Sequence, residues 1–369
     1  MKKAVLYPFS ANHTALLKYW DRYVSDYEIF KVVSPLGSGL CGQDAGMADN
    51  RENMGIRVSE SLNEVLPDVD ALIVPYVSRE MGERLCLVDQ MKKIAQMGKE
   101  IICCFPLTKR ERKELNKICS ENNNSATYAY DDHSDIWKQV LFKMSEITTP
   151  VIFVGGIFAE ANNFEIALSL ADKFKKDGYK VSAVGIRPEY NLLGFHYLWP
   201  LAEFVDGKVY DKKISTLIKL LNGYLYGLSI KENLDLLIVD VPGGLIDTPK
   251  YPNESGVYAY LLSQVIKPDY TILTSLYSQA GEADFKVLFE EIEKRFGFEA
   301  GCLHMSNKYL AVQESEYIHS MKFGYMPIAQ LYNETPNFDI DIPKYCFIDE
   351  NQLKKAYQDI LYMLTGEKS

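Results

Sequence analysis

The chain has 369 residues, 47% apolar and 24% charged, with a formal net charge of −10. That composition is globular and excludes a disordered chain, and the length predicts two domains. Nucleic-acid binders concentrate positive charge, so the acidic balance excludes DNA or RNA as the main ligand.

The seven cysteines, Cys41, Cys86, Cys103, Cys104, Cys119, Cys302 and Cys346, have no C-x-x-C spacing. Iron–sulfur and structural zinc sites therefore have no sequence support, and an odd count fits a reducing, cytoplasmic compartment. The 25 tyrosines read first as packing and surface, with ligand stacking the alternative.

The N-terminus enters a strand at Ala4–Tyr7 without a long apolar leader, so no signal peptide is expected. Further strands are predicted at Glu28–Val33, Asp70–Tyr76 and Glu100–Phe105. Between the last two, Arg79–Met97 carries apolar residues at helical spacing. Short apolar strands alternating with helices imply a parallel sheet covered on both faces. Residues 106–150 turn polar. The run Lys109-Arg110-Glu111-Arg112-Lys113 reads as a solvated helix face. Pro150 cannot continue a helix and marks the boundary, giving a Rossmann- or flavodoxin-like domain over 1–148 and a second domain over 149–369.

The second half repeats the alternation. Strands are predicted at 151–154, 180–186, 235–241, 270–275 and 301–305. Helices are predicted at 162–177, 212–230, 255–266, 281–296 and 351–365. The apolar stretch Ile214–Ile230 is interrupted by Lys219 and Asn222, falls short of a bilayer span and reads as a core helix. The expected fold is α/β, two Rossmann-like three-layer domains with mainly parallel sheets, the second resembling a P-loop NTPase.

The segment from Val154 through Gly155, Gly156 and Glu160 to Asn162 and Asn163 carries that last expectation. A strand runs into glycines and then into a helix whose apolar stripe is Phe164, Ala167, Leu168, Ala171 and Phe174. This is the context a phosphate-binding loop requires. Laid on Gly156, the P-loop pattern places Ala161 at the second glycine, Asn162 at the lysine and Asn163 at the hydroxyl residue. Backbone N–H groups could still attract an anion, but the lysine for terminal phosphates and the hydroxyl for magnesium are lost. Asn162 or Asn163 could equally be the helix N-cap. Glu160 is an acid or base candidate, against the simpler reading of a solvated loop acid. A second element is Asp235 to Asp240, an apolar strand ending in aspartate and followed by Val241, Pro242, Gly243 and Gly244. A strand-end aspartate is where P-loop proteins hold magnesium, and glycines let backbone approach a ligand. The alternative is an ordinary turn.

The order of these parts resembles the P-loop branch containing dethiobiotin synthetase and the MinD-like ATPases, over roughly 151–310. The resemblance implies a nucleotide, with magnesium, as candidate cofactor at Gly155, Gly156, Glu160, Asn162, Asn163, Asp240, Gly243 and Gly244. In such folds the run Cys302 to Lys308 lies where a base can be read; the aspartate after Asn307-Lys308 is absent. The aromatic segment with His196, Tyr197 and Trp199 falls where such folds contact substrate; packing is the other reading.

Gly37-Ser38-Gly39-Leu40-Cys41-Gly42 fits the dinucleotide spacing but follows the second strand, and no helical pattern follows it, which argues against NAD or FAD. The histidines, His13, His133, His196, His304 and His319, have no metal-ligand spacing. No nucleophile elbow is present, and no catalytic residue is assigned.

Across both domains the chain also resembles peptide-maturation proteins of clostridial ribosomal natural-product (bacteriocin-type) clusters. The carrying segments are Val154–Gly156 through Asn163–Glu165, Asp240–Gly244 and Gly324–Ala329. That resemblance implies an accessory role in ribosomal-peptide maturation, with a precursor peptide or modifying enzyme as partner; a homodimer is the candidate assembly. Two alternatives stay open. One is a ligase or transferase acting on a small carboxylate or amine. The other is a small-ligand binding module using the first-domain crevice near Gly37–Gly42.

Overall fold

A computed structural model describes residues 1–130, 144–159, 161–206, 213–246, 256–277, 282–318, 321–334 and 340–366. The chain divides into two compact units, residues 1–132 with Arg187–Tyr197, and residues 133–186 with 198–369. The sequence expectation kept 187–197 in the second domain. Local bonding explains its place in the first: Tyr76 N–H donates to Glu189 at 2.8 Å, Asn191 donates to the Ala129 carbonyl at 2.7 Å, and the Phe195 ring meets Tyr23.

The first unit holds β1 (Lys2–Leu6), β2 (Tyr27–Val33), β3 (Val58–Ser59), β4 (Ala71–Val74), β5 (Glu100–Cys103) and β6 (Ala126–Tyr128). Their order is β3-β2-β1-β4-β5-β6, and every pair is parallel. This is the doubly wound order, with its switch point between β1 and β4. Strands such as Ala71–Val74 are fully buried, as parallel strands covered on both faces must be. The single helix predicted over 79–97 is two, Arg79–Arg84 and Leu87–Gln96, broken at Cys86 in the left-handed region (φ 51°). Polar residues after 106 form a helix, Lys109–Glu121, with Thr108 and Glu111 making a capping box. Its Leu115 and Cys119 are buried in the core, Ile118 packs at the core's edge, and Arg112 lies over the Tyr128 ring.

The second unit contains β7 (Val151–Gly156) and β8 (Val181–Gly185); β9 (His196–Tyr197) follows in the first unit's excursion. Then come β10 (Leu236–Gly244), β11 (Tyr270–Ser275), β12 (Cys302–Met305), β13 (Lys308–Leu310), β14 (Phe323–Tyr325) and β15 (Lys344–Tyr345). The main sheet runs β15-β12-β11-β7-β10-β8, all parallel, while β13 and β14 form a separate antiparallel hairpin. The helices Asn163–Lys176 and Ile214–Glu232 are buried along Ile166, Leu170 and Phe174 and along Leu217, Leu221 and Leu228. Both units are three-layer α/β arrangements with Rossmann-like sheets. Among the described residues, no helix is long and apolar enough to cross a membrane, and no three His, Cys, Asp or Glu side chains converge as a metal site.

Candidate functional site

The central strand β7 delivers the glycine loop. On one side β10 pairs with it, Asp240 opposite Val154, Val241 opposite Gly155 and Gly244 opposite Gly156. On the other side β11 places Leu273 opposite Gly155 and Thr274 opposite Gly156. The register slips between Val241 and Gly244, so Pro242 and Gly243 bulge out, with Gly243 at φ 74°. Gly155, Gly156, Asp240 and Gly244 thus gather at the carboxyl ends of adjacent parallel strands, where open α/β sheets bind ligands.

The loop turns back immediately. A Cβ on Gly156 would stand 2.3 Å from the Phe158 carbonyl oxygen, so only glycine fits. Ile157 N–H donates to the Thr274 carbonyl at 2.8 Å, and Leu245 N–H donates to the Gly156 carbonyl at 2.9 Å. Ile157 and Ala161 are fully buried beneath the turn.

Both asparagines are engaged within the protein. Asn162 precedes the helix Asn163–Lys176 in the left-handed region at φ 71° and makes no side-chain capping bond. Its Oδ1 instead accepts from the Ser306 hydroxyl at the end of β12. Asn163 Nδ2 donates to the Val241 carbonyl at 3.1 Å, and its Oδ1 accepts from the Thr274 hydroxyl at 2.6 Å. One carboxamide therefore clasps the ends of β10 and β11. Asn162 thus occupies the N-cap position, but neither asparagine side chain makes a capping bond, because each bonds elsewhere. Asp240 is nearly buried, 7% exposed.

A second polar cluster lies in the first unit, at the switch point. Ser10 N–H donates to His13 Nδ1 at 3.1 Å, which assigns the proton to Nε2, 3.3 Å from the Tyr76 carbonyl. Glu189 is fully buried; its Oε1 accepts from Tyr76 N–H at 2.8 Å and from Arg187 Nη2 at 3.1 Å. Arg187 Nη1 also donates to the Asn12 carbonyl at 3.2 Å. Burial pushes the Glu189 carboxyl up, but the Arg187 charge and hydrogen bond, with Tyr76 N–H, outweigh it, and the net shift is downward. Beside it, Thr14 donates to the buried Asp49 at 2.6 Å, and Asp49 also pairs with Arg51. No local sequence pattern announces this cluster, because its members are distant in the chain.

His196 and Tyr197 form β9 in the first unit. Trp199 opens the second-unit helix Trp199–Val205 and packs against that unit's core. Gly37, Gly39 and Gly42 all take positive φ in the loop after β2, and a 3₁₀ turn, Ala45–Asp49, follows instead of an α-helix. A dinucleotide fingerprint needs that helix. Glu160, His133 and His319 lie outside the described residues.

No family model and no curated protein matches the sequence. The fold is similar to the crystal structure of a DUF1611 family protein from Anabaena variabilis, with a TM-score of 0.59 and 11% sequence identity over 100% of both chains. A likeness at that identity bears on fold alone, and over the full length it shows a two-unit, three-layer α/β protein with mainly parallel sheets.

Proposed function

We propose that this chain is a binding protein for an anionic, nucleotide-like small molecule, held at the glycine loop of the second unit without efficient hydrolysis. Its setting would be the accessory role in ribosomal-peptide maturation that the family resemblance implies. One observation carries the binding reading: the central parallel strand β7 ends in Gly155 and Gly156, and the chain then enters the helix Asn163–Lys176. A glycine turn running into a helix N-terminus presents backbone amides and the positive end of the helix dipole. The absence of turnover follows from Asn162 and Asn163, whose side chains hold the sheet ends together. The residues present do not fit a tightly held magnesium. The position that would offer a hydroxyl is Asn163, and its oxygen already accepts from Thr274.

Calorimetric titration with ATP, GTP and inorganic tripolyphosphate, with and without magnesium, tests this. Binding is expected, nearly indifferent to magnesium and without phosphate release. A carboxylate at 240 opposes a bare anion, so Asp240→Asn is expected to tighten tripolyphosphate binding. Failure of all three probes to bind, or turnover abolished by Asp240→Ala, would overturn the proposal.

A further inference from the structure

The turn that leaves β1 in the first unit brings a serine and a histidine together. Tyr7 N–H donates to the Ile73 carbonyl of β4 at 3.0 Å, and Phe9 N–H donates to the Val33 carbonyl of β2 at 2.8 Å. The chain is therefore pinned on both sides as it leaves the sheet. The Phe9 carbonyl accepts from the Ser34 hydroxyl at 3.1 Å, which fixes the peptide leading into Ser10. Ser10 is the N-cap of the 3₁₀ turn Ala11–His13, and His13 falls three residues on. In a capping box that position holds Glu or Gln, whose side chain accepts from the N-cap amide. Here an imidazole does so, and it brings a base.

The base is aimed at the hydroxyl. His13 Nε2 carries the ring proton and lies 3.3 Å from the Tyr76 carbonyl, which leaves the Nδ1 lone pair on the Ser10 side. Nδ1 accepts from the Ser10 amide at 3.1 Å and stands 3.2 Å from the Ser10 hydroxyl oxygen, within the reach over which a general base takes a proton. Ser10 is half-buried beside the exposed Asn12, whereas His13 is 2% exposed. The serine is thus within reach of solvent and its base is shielded from it. Glu189, fully buried, accepts from the amide of the same Tyr76 whose carbonyl holds the imidazole. A negative charge there favours the imidazolium that forms when Ser10 gives up its proton.

A nucleophile, a base in hydrogen-bond reach and a group that orients the base make the pattern of an activated serine. These residues meet at the switch point between β1 and β4, where doubly wound sheets place their ligands. We propose that Ser10 and His13 are a catalytic pair for hydrolysis of an ester or thioester, separate from the glycine loop of the second unit. An alkoxide or thiolate leaves more readily than an amide nitrogen, which sets that substrate class. Ser10 Oγ attacks the carbonyl carbon while its proton passes to His13 Nδ1. The alcohol or thiol departs with that proton and leaves an acyl-Ser10 ester. Water then gives a proton to His13 and its oxygen to the acyl carbon. Ser10 Oγ leaves, takes the proton back and releases a carboxylic acid.

The test uses the full-length protein with p-nitrophenyl acetate and a fluorophosphonate, and peptide mass spectrometry locates the adducts. Both probes should modify Ser10 in the native protein. Ser10→Asn keeps an N-cap side chain and should abolish the adducts and the release of p-nitrophenol that depends on them. His13→Gln restores the usual capping-box partner. It should slow both reactions on the order of 100-fold, the share of a general base. Wild type unfolded in urea should lose the Ser10 adduct, a readout that requires no variant to fold. Three results would each overturn the proposal and leave the pair a helix cap: native Ser10 unmodified, His13→Gln reacting as fast as wild type, or the unfolded chain labelling equally well. Neither probe reports on the glycine loop, so the anion reading stands or falls separately.

Discussion

Replacing Arg187 by alanine strands a carboxylate that has no exposure at all. Native Glu189 accepts from Arg187 at 3.1 Å and from Tyr76 N–H at 2.8 Å. Without the guanidinium, the variant has two routes. Keeping the charge buried costs about 3–5 kcal/mol. Protonating Glu189 costs about 1.36 kcal/mol for each pH unit above a free carboxyl pKa near ~4.3, hence about 4 kcal/mol at neutral pH and about 1 kcal/mol near pH ~5. The cheaper route sets the ceiling, so the deficit should approach ~4 kcal/mol at neutrality and shrink by roughly 3 kcal/mol on acidification. The wild-type sign agrees. Its Glu189 is shifted downward, so that stabilisation is present above the unfolded carboxyl pKa and is lost as pH falls through the native value. His13 faces the same cluster, and Glu189→Gln supplies the control. On that background Arg187→Ala should lose its pH dependence. Hydrogen exchange read by mass spectrometry on peptides spanning β1 and β4 measures the first unit separately from the second. A deficit below about 0.5 kcal/mol at neutrality, or one of equal size at both pH values, would refute the reasoning.

Three further outcomes are expected. Gly156→Ala must displace the Phe158 carbonyl oxygen, only 2.3 Å from the new methyl. It should cost about 1–3 kcal/mol in thermal unfolding and abolish tripolyphosphate binding; an unchanged melting temperature counts against the turn described. Thr274→Val removes the hydroxyl that Asn163 Oδ1 accepts from at 2.6 Å, and should cost about 1–3 kcal/mol in urea unfolding, with no cost if the clasp is incidental. Native protein should alkylate promptly only at the exposed Cys41 and Cys86. Burial pushes the Cys103 and Cys302 thiols up to about 12 and Cys346 to about 11, so mass spectrometry should find these modified only after unfolding.

Strand and helix order was legible wherever burial imposed a period. Val151–Val154 is an unbroken apolar run because both faces of β7 are covered. The stripe in 163–176 is helical because its Phe164, Leu168 and Phe174 meet the core. Elements with little buried surface were harder to see. Lys109–Glu121 buries only Leu115 and Cys119, and its one clear signal was the capping pair Thr108 and Glu111. Cys86 breaks a helix in a left-handed conformation that nothing about cysteine announces. At the candidate site, the glycines and Asp240 were readable because turn and strand end are local features. The clasp made by Asn163 was not, since its partners Val241 and Thr274 lie 78 and 111 residues away. The cluster around Glu189 was invisible for the same reason.

The excursion Arg187–Tyr197 makes the chain cross between its two units three times. Neither half is then a contiguous cassette. A fragment ending at residue 132 would carry His13 and Tyr76 but omit the pair that meets them, and a fragment starting at 133 would carry Arg187 and Glu189 with nothing to receive them. A single protease nick near residue 132 would still leave a covalent loop threaded back through the first unit. Dissecting the gene would mean supplying 187–197 to the first unit in trans and bridging 186 to 198 in the second, so the two units are inherited as one piece.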